Sequence, residues 1–422
     1  MRRRVVITGL GALAPGGPGL KGFWDTLTSG RTATRTITAY DPSPFRSRVG
    51  AEVDLDPLAA GLSAQDVARL DRLAQFAVLS TAEGVADAGL LVDREDPTRI
   101  ATVLGNAVGC TTSLEREFAR VSRGGRDWLV DHRLASPWLH DHFVPSSVVA
   151  EVARRTGALG PAAVVSTGCT SGLDAVGHAA ELVREGSADV VVTTTAEAPI
   201  SPITSACFDA IHATTARNDD PATASRPFDR TRDGLVLGEG SATLVLEEFE
   251  HARARGAHVY AEVVGYASRA NAHHMTGLTA HGTEMAAAID AALAEARLSP
   301  EAVDYVNAHG SGTTMNDRHE TAAFKLSLGE HAYRVPVSSI KSMIGHSLGA
   351  VGGLEAAACA LAIEHGVVPP TANLHEPDPL CDLDYVPLEA RDHRTGVALS
   401  VGSGFGGFQT ALLLARPTGG AR

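Results

Sequence analysis

Short runs of β-branched residues alternate with alanine-rich amphipathic stretches along almost all of the 422-residue chain. That alternation confines it to α/β architectures, in which strands are buried on both faces and helices cover them. Strands are predicted at Arg4–Thr8, Ile100–Leu104, Ala163–Ser166, Asp189–Thr195, Ala242–Glu247, Val259–Tyr266, Val303–Ala308, Pro336–Ser338, Val397–Val401 and Thr410–Leu414. Helices are predicted over Ala64–Asp87, Pro145–Arg155, Thr170–Glu185, Glu284–Ala296, Asp317–Leu328 and Ser347–His365. Two of them stop at Gly186 and Gly366, where a left-handed terminal residue is wanted. No low-complexity linker divides the chain, so one compact unit is expected.

Composition excludes several classes. With 36 Lys+Arg against 49 Asp+Glu the net charge is −13, which leaves no basic stripe for nucleic acid. At 44% hydrophobic residues the chain can bury a large core, yet its longest apolar stretches fall short of the roughly 20 residues of a membrane helix. The basic start, Met1-Arg-Arg-Arg, followed by an apolar run, imitates a signal peptide. Val5-Val-Ile-Thr8 ending in Gly9-Leu-Gly11 reads better as a first strand and its turn. Five cysteines, at 110, 169, 207, 359 and 381, form no CxxC pair. Neither a disulfide framework nor a cysteine zinc site is indicated, and a cytoplasmic location fits.

One internal echo is informative. Val164-Val-Ser-Thr-Gly-Cys-Thr-Ser-Gly172 precedes a long alanine-rich helix, and so does Val337-Ser-Ser-Ile-Lys-Ser-Met-Ile-Gly-His-Ser347. A duplicated core would bring both polar turns to one site. Cys169 sits at the first, where the field of a helix N-terminus favours the thiolate that attacks carbonyls. His309, in Asn307-Ala-His-Gly-Ser-Gly-Thr313, and His346 occupy two more glycine-bordered turns after strands. Open α/β sheets place ligands at such turns, so a nucleophile with two imidazoles is the better reading of the three together.

Other motifs compete. Gly345-His-Ser-Leu-Gly349 matches a nucleophile elbow, with Ser347 as an acyltransferase or hydrolase serine and His365, His375 or His393 downstream. Gly9-Leu-Gly-Ala-Leu-Ala14 mimics a dinucleotide fingerprint but is interrupted by Pro15-Gly-Gly-Pro18. His273-His274, with His281 nearby, lacks carboxylate or cysteine at ligand spacing, and no metal is expected.

Val165-Ser-Thr-Gly-Cys-Thr-Ser-Gly-Leu173, His309-Gly-Ser-Gly-Thr313, Lys341 to Gly349 and Gly402-Ser-Gly-Phe-Gly-Gly407 together resemble the β-ketoacyl synthase family, in order, over essentially the whole chain. Ala213-Thr-Thr-Ala-Arg-Asn-Asp-Asp220, His274-Met-Thr-Gly-Leu278 and Asn316-Asp-Arg-His-Glu-Thr321 narrow the likeness to the ketosynthase α subunit of bacterial type II aromatic polyketide synthases. The resemblance implies an α/β, thiolase-like fold with two pseudo-duplicated α-β-α-β-α halves, divided as residues 1–255 and 256–422. It implies a decarboxylative Claisen condensation of malonyl-carrier protein with an acyl chain on Cys169, repeated to build a poly-β-ketone. A fatty-acid ketosynthase and a Ser347 acyltransferase are the alternatives.

Roles follow by position. His309 and His346 would support decarboxylation and hold the enolate, and Lys341, paired with Glu320, would set the histidine site. The backbone N–H groups of Cys169 and Phe405 would form an oxyanion hole, with the Phe405 loop also acting as a gate. Ser311 and Thr313 would hold a phosphopantetheine arm. The chain would need no cofactor of its own, its substrates riding on acyl carrier protein, and would pair with a homologous chain-length factor. Leu235 follows Arg232-Asp233-Gly234 where the family often carries Phe, which puts in doubt an aromatic gating role at that spot.

Overall fold

The computed structural model describes residues 3–279 and 281–418, so Met1 and Arg2 of the basic start lie outside the described residues. Ten strands among the described residues form one hydrogen-bonded sheet: β1 Val5–Leu13, β2 Ile100–Gly105, β3 Ala162–Val165, β4 Val190–Glu197, β5 Gly240–Glu248, β6 Ala261–Ala270, β7 Tyr305–Asn307, β8 Val337–Ser338, β9 Val397–Gly404 and β10 Phe408–Ala415. Their order is β8-β7-β9-β10-β6-β1-β5-β4-β2-β3. The halves meet at a short antiparallel seam, Val6 opposite Glu262 and Ile7 opposite Ala261. Outward from this seam each half repeats one order, first, fifth, fourth, second and third in chain sequence. The pairings repeat too: antiparallel, antiparallel, parallel, parallel. The duplication hinted at by the echo is therefore a property of the whole topology.

The major helices repeat in step. α1 Arg72–Asp87, α2 Ser146–Thr156 and α3 Ser171–Arg184 belong to the first half; α4 Thr283–Ala296, α5 Thr314–Leu328 and α6 Val351–His365 to the second. Strand alternation sorts them into layers. Val191, Leu244, Leu246, Leu412 and Leu414 face inward onto α3 and α6, in one cluster that both halves share. Val190, Val192 and Val245 face outward onto α1 and α2, and Leu399, Val401 and Leu413 onto α4 and α5. The layers run helix, sheet, helix, sheet, helix.

The central helices touch at their N-terminal ends through glycine. A Cβ on Gly172 would lie 2.6 Å from Gly353 N, and one on Gly352 would lie 2.4 Å from Leu173 N. Any side chain there would force the helices apart, and with them the two turns they follow. The α6 segment Leu348–His365 is long and apolar enough to cross a membrane, but 89% of it is buried inside the fold. It is a core helix.

Two expectations need correction. Gly9 and Gly11 do not end the first strand; β1 continues to Leu13. The glycines let α1 press on the strand, since a Cβ would stand 2.3 Å from Gly84 O at Gly9 and 2.1 Å from Ser80 O at Gly11. The predicted helix Ala64–Asp87 is two helices, Ala64–Arg69 and α1, because Leu70 turns extended and Asp71 restarts the chain as an N-cap, its carboxylate accepting from Leu73 N–H.

Candidate active site

Three strand-to-helix turns converge on one cavity of about 330 Å³, lined by Cys169, His309, Ser311, Thr313, His346 and Phe405 among others. Cys169 lies between β3 and α3, and His346 between β8 and α6, so these are the equivalent turns of the two halves. His309 follows β7. The histidine rings stand edge to face, 5.2 Å between centroids.

The glycines around them have specific work. Gly310 has φ +41°, and a Cβ there would lie 2.4 Å from Ser339 Cβ. Gly404 lets the Phe405 turn close onto Cys169, since a Cβ there would lie 3.3 Å from Cys169 N. This segment is both a hairpin, Gly404 pairing with Phe408, and a wall of the cavity. Phe405 stacks on Phe208 at 6.2 Å.

Burial governs the electrostatics. Desolvation pushes the Cys169 thiol up to about 11, and the Lys341 charge and the Phe405 N–H, which donates to it, pull it back only in part. The expected resting thiolate is thus replaced by a thiol at neutral pH: burial in an apolar cluster with Leu235, Phe208 and Leu348 outweighs the helix field. Desolvation also holds both imidazoles well below their usual range, with Lys341 adding to the effect, so both rings are neutral. Nδ1 of His346 accepts from Leu348 N–H at 3.2 Å, which assigns its proton to Nε2. Leu348 adopts φ +44° in making this contact.

Lys341 is 1% exposed, and its ammonium donates to His309 O at 2.5 Å. Its ionic partner is Glu355 on α6, not Glu320. Glu320 instead accepts the backbone N–H groups of His309 at 2.5 Å and Gly310 at 2.8 Å, and burial pushes it up to about 8. It shapes the His309 turn. Ser311 Oγ and Thr313 Oγ1 lie 3.0 Å apart on the cavity wall, and Thr313 also caps α5. Beneath them Arg232 is fully buried between Asp317 and Asp378, each at 3.0 Å. Sequence reasoning passed over Glu355 and this arginine cluster. The only signal was charge inside stretches that otherwise read as core.

The competing motifs do not assemble. Ser347 is buried outside the cavity lining, with no hydrogen-bond partner for Oγ among the described residues. His365 packs against Trp24 with ring centroids 5.3 Å apart, and His393 bonds Asp304 O. Nδ1 of His274 accepts from Thr276 and Gly277 N–H, closing its own turn.

Comparison with known proteins agrees with this geometry. The β-ketoacyl synthase N-terminal domain matches residues 2–252, and the C-terminal domain of the same family matches residues 260–375. The chain belongs to the β-ketoacyl synthase family. It is 65% identical to the tetracenomycin polyketide synthase ketoacyl synthase alpha subunit of Streptomyces glaucescens, over 98% of this chain and 97% of that one. A 3-oxoacyl-[acyl-carrier-protein] synthase 2 from Synechocystis is 41% identical over 97% of both. The likeness is therefore to polyketide ketosynthase α subunits rather than to the fatty-acid branch. Among solved structures, a type II polyketide synthase acyl-carrier protein in complex with its ketosynthase bound to the hexaketide matches with a TM-score of 0.92 at 37% identity, covering 99% of this chain and 100% of that one. The ishigamide ketosynthase/chain length factor matches at 0.90 and 33%, with the same coverage. These neighbours share the thiolase-like fold.

Proposed function

We propose that this chain is the condensing α subunit of a type II polyketide synthase and that it elongates an acyl chain held on Cys169. The observation that carries the reading is the convergence of one thiol and two neutral imidazoles on a single cavity, from equivalent turns of a duplicated core. In the first half-reaction Cys169 Sγ attacks the thioester of an acyl-carrier protein. Its proton passes by way of an imidazole to the departing carrier thiolate, leaving the acyl group on Cys169. In the second, a malonyl-carrier protein loses carbon dioxide, and the electron pair of the broken C–C bond forms an enolate. The Nε2–H of His346 and the adjacent His309 ring donate to its oxygen. The enolate carbon then attacks the Cys169 thioester, whose oxygen is held by the N–H groups of Cys169 and Phe405, and expels the Cys169 thiolate. The β-ketoacyl product stays on the carrier. Repetition builds the poly-β-ketone.

The Ser311 and Thr313 hydroxyls suit the amides of a phosphopantetheine arm, and the chemistry asks for no resident cofactor. A chain-length factor is the expected partner: β3 lies at the edge of the sheet among the described residues, and Trp128, Leu129 and Phe143 stand 96%, 82% and 70% exposed. Five free cysteines accord with a cytoplasmic enzyme. The test is product formation from malonyl-carrier protein by the reconstituted pair. Polyketide from wild type and none from Cys169→Ala supports the reading, and equal product from both overturns it.

A further inference from the structure

We propose that Glu197 is a positioning residue of this condensing site, clamping the loop after β2 onto the turn that carries His346. The inference rests on the condensing function argued above.

Glu197 ends β4 and is fully buried. Its partners are backbone amides from two segments. Oε2 accepts Ala107 N–H at 2.6 Å and Gly349 N–H at 3.2 Å; Oε1 accepts Gly109 N–H at 3.2 Å and Val108 N–H at 3.3 Å. Glu197 forms no ion pair among the described residues, and burial pushes it up to about 7. A carboxylate kept in such a place without a counter-charge is costly, and a row of N–H donors is what compensates it.

What the clamp joins is specific. The loop after β2 occupies in the first half the place that the His309 turn occupies in the second. It lies in backbone contact with Gly349, where a Cβ would stand 2.4 Å from Ala107 N. Ala107 packs into the apolar cluster around Cys169 and Leu348. On the other side, Gly349 follows Leu348, the residue whose unusual φ delivers its N–H to His346 Nδ1. One carboxylate thus ties the wall beside the nucleophile to the peptide that sets the tautomer and angle of His346. It does not line the cavity.

Glu197→Gln keeps the volume but leaves a single accepting oxygen and turns an amide NH2 toward N–H donors. In the reconstituted enzyme, kcat for malonyl-carrier decarboxylation should fall about tenfold, the loss of one hydrogen bond to a charged group. KM for the carrier protein should not move, because the exposed cavity-lining residues Ile211 and Met315 belong to other segments. Gly349→Ala, which wedges the two segments apart, should show the same split. A merely structural role would lower thermal stability and the number of titratable active sites while leaving kcat per site unchanged. That result, or a raised KM at unchanged kcat, overturns the proposal, as does failure of both variants to fold. Wild type assayed alongside separates the two claims: if wild type does not condense, the condensing function fails; if a folded variant matches a competent wild type, only the clamp fails.

Discussion

Replacing Lys341 by Met would leave Glu355 buried without its cation, and three features of the structure set the consequence. Both side chains are 1% exposed, the ammonium also serves His309 O, and burial pushes Glu355 up to about 7 even beside Lys341. Breaking such a pair from one side costs about 3–5 kcal/mol. For a chain of this length that lowers the apparent Tm by roughly 3–6 °C. The double variant Lys341→Met/Glu355→Leu removes the stranded charge and should recover most or all of that loss. pH supplies a second signature. Without Lys341 the folded-state pKa of Glu355 rises further above its unfolded value near 4.5. A carboxyl raised in this way adds stability below its unfolded pKa and loses it as pH climbs through the folded one. The single variant should therefore lie close to wild type at about pH 5.5 and show a deficit that opens as pH climbs through about 7 and is still growing at about pH 8.5. Thermal melts of the three proteins at both pH values make the measurement. A deficit independent of pH, or a double variant less stable than Lys341→Met, would refute the reasoning.

Two other sites give independent expectations. Gly310→Ala, with φ +41° and a Cβ 2.4 Å from Ser339 Cβ, should displace the His309 turn and lower kcat by about tenfold or more in steady-state assays of condensation, with a Tm loss of a few degrees. His251 is raised to about 9, chiefly by its hydrogen bond with Glu247 and also by Glu95. Its contribution is complete below the unfolded value near 6.5 and fades as pH rises through about 9, so His251→Gln should lower Tm at neutral pH and match wild type in melts above about pH 10.

Much of this architecture is legible in the residues because burial on both faces leaves β-branched runs, and the turns that line the cavity collect glycine. Cys169, His309 and His346 stand out for that reason, and the echo between the first and third turns anticipates the duplicated topology. What escaped is what depends on contact between distant segments. The resemblance implies Glu320 as the partner of Lys341, yet α5 delivers its carboxylate to backbone amides. Glu355 is hidden inside an alanine-rich helix that reads as pure core. Gly9 and Gly11 look like a turn because the sequence does not show α1 pressing on them. The thiolate expectation failed similarly: the helix field is visible locally, while the apolar cluster around Cys169 comes from residues as distant as Ile37 and Leu348.

The central claim is that Cys169 carries the growing chain. Its most direct test is peptide-level mass spectrometry of the protein with its partner after exposure to acyl-carrier protein, followed by a chase with malonyl-carrier protein. The account predicts an acyl adduct on Cys169 that disappears in the chase as a β-ketoacyl carrier forms. An adduct on Ser347, or condensed product without any adduct on Cys169, would contradict it.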